Sequence, residues 1–339
     1  MNNSNYNYPV DLVYLWCDDG EENWRKKRLF YQQQAGYQLD NSATKGRFES
    51  HDELKYSLRS VEKNIPWINH IYIITDGQTP SFLNLNHSKI TIVDHKEILP
   101  QQYLPQFNSV AIEFGITNIP NLSEYFLYAN DDMLFATPHD KSFYFTPDGK
   151  PIHRLSQGQK KAKKYHIPLF LYWLLVRLVI YMRHDLYSKT CLNAIDHVML
   201  RTGKLFLFSP GHGIDPYRKS LLKKYNSLPG MQKAITRTLS HKFRSSEDLQ
   251  RYIYSCWGLA FNEFEKVPIK SLRFPGSENF TEEEIDLAYI TDPQLFDTKF
   301  KGVAKQLCLN DTENSSPEFG KFANKLLSKL FPQKSQFEI

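Results

Sequence analysis

An asparagine and two aspartates in a row, Asn130-Asp131-Asp132, followed by Met133, end the apolar run Phe126 to Ala129. Adjacent carboxylates at a strand end bind a hard divalent cation, Mg²⁺ or Mn²⁺, and such a cation bridges diphosphate oxygens. Two other apolar runs also end in acids: VDLVYLW before Asp18-Asp19-Gly20, and HIYIIT before Asp76-Gly77. Each is an ordinary loop acid when read alone. Their recurrence at strand ends is what points to a site. Trp16, beside Asp18, offers either a stacking face for a nucleotide base or one more core side chain. Arg47 and Arg59 flank the acidic stretch His51-Asp52-Glu53. A guanidinium suits bidentate phosphate contact, although an arginine on a helix surface is often only solvated.

Two further segments carry chemistry. In SPGHGI at 209–214, His212 sits between two glycines. A histidine on such a loop can take a proton from an acceptor hydroxyl or donate to a phosphoryl oxygen, and the glycines let backbone approach a ligand. In Cys308-Leu-Asn310-Asp311, Asp311 reads as a further metal or phosphate ligand, or as a plain turn aspartate. The chain has no P-loop, no GxGxxG after a strand, no GxSxG and no HExxH. The commonest ATPase, dehydrogenase, hydrolase and zinc-protease readings therefore fall away.

The elements that must hold these residues follow from periodicity. Val10–Trp16, His70–Thr75, Lys89–Val93 and Phe126–Ala129 read as short buried strands. Glu53–Asn64 reads as a helix, with Leu54, Leu58 and Val61 on one face and Pro66 past its end. Asn108–Asn118 also looks helical. Strands alternating with helices predict a mainly parallel α/β sheet, whose ligands collect at the carboxyl ends of the strands. Residues 209–262 read as largely helical, Thr281-Glu282-Glu283-Glu284 as a capped helix start, and Phe319–Leu330 as a basic amphipathic tail helix that packs, stays solvated or touches membrane. The expected divisions are a nucleotide-sugar-binding core at 1–150, a basic and apolar helical insert at 151–208, a part completing the site at 209–315, and a tail at 316–339.

The 339 residues are 41% hydrophobic, enough to bury a large core. Charged residues make up 23% and are mixed in sign, which excludes global disorder. A net charge of +5 suits an anionic small partner and falls far short of the basic face of a dedicated nucleic-acid binder. The four cysteines form no CxxC pair and have no zinc spacing, so a reduced, cytoplasmic chain is expected. The start, MNNSNYNYPVDLVYLW, has no signal-peptide pattern. Residues 167–182, IPLFLYWLLVRLVIYM, are almost wholly apolar with basic flanks, and leave three options open: a buried helix, an interfacial helix on anionic lipid, or a span.

Taken in order, these pieces resemble the Stealth family, which comprises bacterial capsule polysaccharide phosphotransferases and the α/β subunits of the animal lysosomal-enzyme N-acetylglucosamine-1-phosphotransferase. VDLVYLWCDDGE at 10–21 is similar to the first family region, with Asp19 where glycine is usual. RFESHDELKYSLRS, LPQFNSVAIE and NDDM, between 47 and 133, resemble the second, with Gln106 where threonine is usual. SPGHGIDPYRKS at 209–220 with HKFRSSEDLQ at 241–250 resembles the third, and CLND at 308–311 the fourth. The resemblance implies a Rossmann-like fold similar to A-type glycosyltransferases. It implies transfer of hexose-1-phosphate from a UDP-sugar donor, releasing UMP, to an oligosaccharide or lipid-linked glycan acceptor. The implied metal ligands are Asp131, Asp132 and Asp311. His212, Glu113 and Arg244 would carry the chemistry, and Trp16, Asp18, Arg47, Arg59, Asn108, Ser109 and Asn130 would bind substrate. Work at the inner face of the cytoplasmic membrane is expected, with no nucleic-acid partner. The rival is an ordinary glycosyltransferase that moves only the sugar and releases UDP.

Overall fold

The computed structural model describes residues 6–35, 48, 50–156, 162–182, 186–274, 285–296, 304–311 and 315–339. Three strands, β1 (Val10–Leu15), β2 (Ile71–Thr75) and β3 (Ile90–Asp94), lie parallel with β4 (Tyr125–Asn130). β1 and β2 are apolar almost throughout because both their faces are covered. Side chains alternate across β1. Val13 enters one core with Tyr72, Ile74 and Tyr128, while Leu12 and Tyr14 enter the opposite core with Ile71 and Ile73. The second core is closed by the helix Glu53–Asn64, whose Leu54, Leu58 and Val61 face inward.

From β4 the chain runs through Asp131 and Asp132 into β5 (Met133–Phe135), which belongs to a different sheet. β6 (Ile152–Leu155) pairs in parallel with β8 (Glu265–Pro268). β7 (Asp215–Arg218) returns to the first sheet, antiparallel to β4, giving the order β3-β2-β1-β4-β7. Here the structure corrects the largely helical reading of 209–262. Only the helices Lys219–Asn226, Met231–Ser240 and Tyr252–Ala260 fit it, and Pro216 is accommodated because β7 is an edge strand. β9 (Ser271–Phe274), β10 (Ile285–Ile290) and β11 (Ala304–Leu309) complete the second sheet, ordered β5-β11-β10-β9 with β5 antiparallel to β11. The helix start expected at 281–284 lies outside the described residues, and a strand follows it directly.

The Asn108–Asn118 stretch is one α-turn, Ser109–Ile112, capped by the Asn108 side chain, followed by the 3₁₀ turn Glu113–Asn118. Helix Leu186–Thr202 packs on Tyr252–Ala260 within the first core, through Cys191, Leu192, Ala194, Ile195 and Val198. The tail helix Phe319–Leu330 buries Phe319, Ala323, Leu326, Leu327 and Leu330 against Leu134, Ala288, Ile290 and Leu307 of the second sheet. Among the described residues no helix is long and apolar enough to cross a membrane.

Candidate active site

The topology brings separate segments to one edge. β1 and β4 end side by side, with Leu15 opposite Asn130. β7 runs the other way and begins opposite Tyr128, so the loop before it, with His212, lies beyond the carboxyl end of β4. β11 ends at the same corner, where the Leu309 amide donates to the Asp132 carbonyl at 2.9 Å. The His212 loop is braced by the second sheet. Its own amide donates to the Tyr289 hydroxyl at 2.6 Å, and the Ile214 amide donates to Gln306 Oε1 at 3.0 Å. Gly211 and Gly213 allow this approach: a Cβ at Gly211 would lie 2.4 Å from Ile269 Cδ1, and one at Gly213 2.8 Å from Gln306 Oε1.

A pocket opens at this edge, lined among others by Glu113, Asn130, Tyr187, His212, Arg244 and Arg251. Arg244 donates to Ser109 Oγ from Nε and Nη2, at 3.2 and 2.6 Å. Arg251 is buried and ties three elements together. Nη1 meets Glu113 Oε1 at 3.2 Å, Nη2 meets Asp215 Oδ2 at 2.8 Å, and the guanidinium lies 4.4 Å from the centre of the Tyr128 ring. Burial pushes the Glu113 carboxyl above its ordinary value, and Arg251 and Arg244 offset only part of that. Its Oε1 also accepts from the Tyr128 hydroxyl at 3.1 Å, while Oε2 is buried without a hydrogen-bond partner among the described residues. Asn130 Oδ1 accepts from the same hydroxyl at 3.1 Å.

Next to the pocket is a crowd of acids. Burial raises the Asp131 carboxyl well above its usual range, and the charges of Asp132 and Glu53 add to this. Asp132 is pushed up to about 7 by burial and by Glu53. Glu53, itself raised by burial, also feels Asp311, and His51 Nε2 lies 3.9 Å from Asp311 Oδ2. Like charges packed out of water are costly unless a cation joins them. Asp132 Oδ1 is buried without a hydrogen-bond partner among the described residues. One donor atom from each of Asp132, His212 and Cys308 lies within 4.8 Å of the others, and the Cys308 thiol faces Asp132 Oδ2 at 3.5 Å. A divalent cation fits this donor set. The carboxylates suit Mg²⁺ or Mn²⁺, and the imidazole and sulfur shift the preference away from Mg²⁺.

Other residues singled out in the sequence lie elsewhere. Arg59 gives its guanidinium to Glu338, at 2.8 and 2.7 Å, and to the Phe331 carbonyl at 3.0 Å, so it locks the tail and is not available to a phosphate. Asn108 is wholly buried and donates to Asp248 Oδ2 at 2.8 Å, which makes it a scaffold for the neighbouring Ser109–Arg244 contact and keeps it from substrate. Trp16 is a core side chain, only 7% exposed, packed with the second core. Asp76 and Asp19 are neutralised, Asp76 by Lys27 and the Trp24 indole N–H, Asp19 by Arg28. Asp18 differs: Oδ1 accepts from the Gly20 amide at 2.8 Å and no cation pairs with it among the described residues. Arg47 lies outside the described residues.

Sequence reasoning gave no site role to Arg251, Asp215, Glu53 and Tyr187. Arg251 directly follows the HKFRSSEDLQ stretch, and Asp215 lies inside SPGHGIDPYRKS. Their proximity to quoted segments was the available signal. What was missing was the register of β7, which alone puts Asp215 opposite Tyr128.

Comparison with known proteins adds a second line of observation. Residues 47–153 match the family model described as Stealth protein CR2, conserved region 2. The capsular polysaccharide phosphotransferase fcs1 of Haemophilus influenzae is 46% identical over 141 residues, 42% of this chain and 39% of that one. The exopolysaccharide phosphotransferase cps2G of Lactiplantibacillus plantarum is 30% identical over 348 residues, 98% of this chain and 96% of that one. The capsular polysaccharide phosphotransferase LcbA of Aeromonas hydrophila is 30% identical, covering 97% and 86%. Among solved structures, the galactosyltransferase LgtC in complex with donor and acceptor sugar analogs aligns at TM-score 0.43 with 11% identity, over 96% of this chain and 97% of that one. The α/β class stands on the strand order described above. With relatives matched nearly end to end and its second region recognised from 47 to 153, the chain belongs to the Stealth family of polysaccharide phosphotransferases.

Proposed function

We propose that the protein transfers hexose-1-phosphate from a UDP-sugar to a hydroxyl of an oligosaccharide or lipid-linked glycan, in capsule or exopolysaccharide synthesis at the inner face of the cytoplasmic membrane. The observation that carries this reading is the pocket in which Glu113, Asn130, His212 and Arg244 meet beside the Asp131–Asp132 corner. The α/β core through residue 150 binds the donor, and segments from 209 to 315 complete the site.

The reaction is a displacement at phosphorus. The acceptor oxygen forms a bond to the sugar-bearing phosphorus, the bond from that phosphorus to the bridging oxygen breaks, and UMP leaves with the electron pair. The sugar keeps its anomeric configuration because no bond to the anomeric carbon changes. Catalysis of such a transfer rests on positioning and charge neutralisation. His212 takes the hydroxyl proton. Arg244, oriented by Ser109, contacts the transferring phosphoryl oxygens. Arg251 stays inside the wall, holding Glu113 and Asp215 in place, and Glu113 with its raised pKa is the alternative base. Asp131, Asp132 and Asp311 would hold Mg²⁺ or Mn²⁺, with Cys308 in reach and His212 left free of the metal to act as base; when bound, the cation would neutralise diphosphate charge.

The test is incubation with a panel of UDP-sugars, Mg²⁺ or Mn²⁺ and short capsule-type oligosaccharides, with nucleotides separated by anion exchange. UMP together with a new phosphodiester in the glycan is expected. UDP together with a glycoside would overturn the reaction type.

A further inference from the structure

The helix Leu169–Met182 turns its apolar side outward. Phe170, Leu171, Leu174, Leu175, Leu178 and Met182 are each between 42% and 62% exposed. The inward stripe is narrow. Trp173 is buried and donates its indole N–H to Asp196 Oδ1 at 3.2 Å, and Arg177 pairs with the other oxygen of Asp196. The single charge of the helix is thus spent on its neighbour, Leu186–Thr202, and the outward side is free of charge. An apolar patch of this kind on one element marks an interaction surface.

Length and charge select the occupant. Fourteen residues rise about 21 Å, short of the roughly 30 Å hydrocarbon core, so the helix is suited to lie along a bilayer and not to cross it. The segment contains no acid, and exposed Lys163, Lys164 and Tyr165 stand at its amino end, with Lys160, Lys161 and Arg183 adding positive charge on both flanks of the sequence. An apolar face rimmed by lysine and tyrosine complements an anionic headgroup surface. On the two flanks Lys160, Lys161, Lys163, Lys164 and Arg183 outnumber the lone Asp185, so a second copy of the chain would set like charge against like charge.

The helix packs on Leu186–Thr202, which forms one wall of the pocket. Leu186, Tyr187 and Thr190, on the helix that carries it, line the same cavity as His212 and Arg244. We infer that Leu169–Met182 docks in the plane of an anionic lipid surface and thereby sets the pocket to take its acceptor from that surface. The acceptor part rests on the function proposed above; the docking part does not.

The experiment is flotation of the full chain with vesicles of phosphatidylcholine alone or mixed with phosphatidylglycerol, beside light scattering without vesicles. Binding to the anionic vesicles by a monomer is expected. Joint Leu171→Gln, Leu175→Gln and Leu178→Gln should cut vesicle partitioning by more than roughly a hundredfold, and joint Lys163→Gln and Lys164→Gln by roughly tenfold or more. Both variants should keep wild-type melting and wild-type transfer to a soluble oligosaccharide, while transfer to a lipid-linked acceptor in vesicles falls. Vesicle binding unaffected by the leucine changes would overturn the proposal. So would a dimer that these changes dissociate. If vesicles bind as expected but no UDP-sugar is turned over, the reaction reading fails and the docking surface stands.

Discussion

One helix, Glu53–Asn64, takes part in two charged regions that are built on opposite terms. At its start, Glu53 joins Asp131 and Asp132 in a buried group of like charges, each raised by burial and by its neighbours. Further along, Arg59 meets Glu338 in a two-bonded pair, with Ser335 giving the same carboxylate two more donors. Burial acts to raise Glu338 as well, but the hydrogen bonds from Arg59 and Ser335 outweigh it and hold the carboxyl below its usual value. The second region closes its charge account internally; the first has no arginine or lysine paired with it among the described residues, and only His51 acts against its charge. Buried charge without a partner is a cost to the fold, and it persists where a ligand or a reaction uses it.

The largest effect that would sharpen this contrast is at the acid corner. Asp131→Asn should lower UMP release on the order of 10²–10³-fold. It should leave the melting temperature equal or higher, because it removes a repelled charge. Near-normal turnover would show that Asp131 is only a loop acid.

Arg251→Met tests the positive side of the pocket. It strands Glu113 and Asp215 as buried carboxylates without their cation, and should cost about 3–5 kcal/mol in urea unfolding. A loss under about 1 kcal/mol would mean that water reaches both carboxylates freely.

Buried histidines supply a third, pH-dependent case. Burial holds His95 down to about 4 and His153 to about 3. His153 has its Nε2 2.9 Å from the Pro216 carbonyl and its Nδ1 2.7 Å from the Ser255 hydroxyl, a neutral arrangement in which the ring donates to the first and accepts from the second. Unfolded histidines titrate near 6.5. Because the folded values are depressed, their contribution is fully present above about pH 6.5 and is lost as pH falls toward 4 and then 3. Stability should therefore drop by on the order of 1–2 kcal/mol per histidine between pH 7 and 5. His153→Gln should flatten this fall in a series of thermal melts.

The smallest effect belongs to the tail lock. Arg59→Met leaves Glu338 with its two bonds from Ser335, so about 1–2 kcal/mol is expected in the same urea assay, with transfer rates unchanged. A large loss of turnover would return Arg59 to the site.

The local parts of the molecule were legible in the sequence. Glu53–Asn64 has the bounds its leucine spacing and Pro66 predict, and the four parallel strands stand where apolar runs meet acids. These signals are short-range, carried by periodicity and by turn residues. β7 was not legible, since four residues containing a proline carry no strand pattern of their own and pair only because β4 offers an edge. Arg251 was missed for the same reason: its partners Glu113 and Asp215 are distant in sequence and meet only through that pairing. Arg59 misled in the other direction. Its guanidinium near the acidic stretch His51-Asp52-Glu53 suggested phosphate, whereas the tail some 280 residues away supplies its partner.

The junction at Asn130-Asp131-Asp132, where the chain leaves one sheet for the other, sets the smallest unit able to work. The family-model match spans 47–153 and so contains Glu53, Asp131, Asp132 and Glu113 but not Asp311. The histidine arm, both pocket arginines and the strand that carries Cys308 come from beyond it. A shortened variant confined to that stretch would keep the acid corner and lose the groups that face it. Redesign of donor or acceptor preference has to treat both sheets and the 186–202 helix as one inherited block.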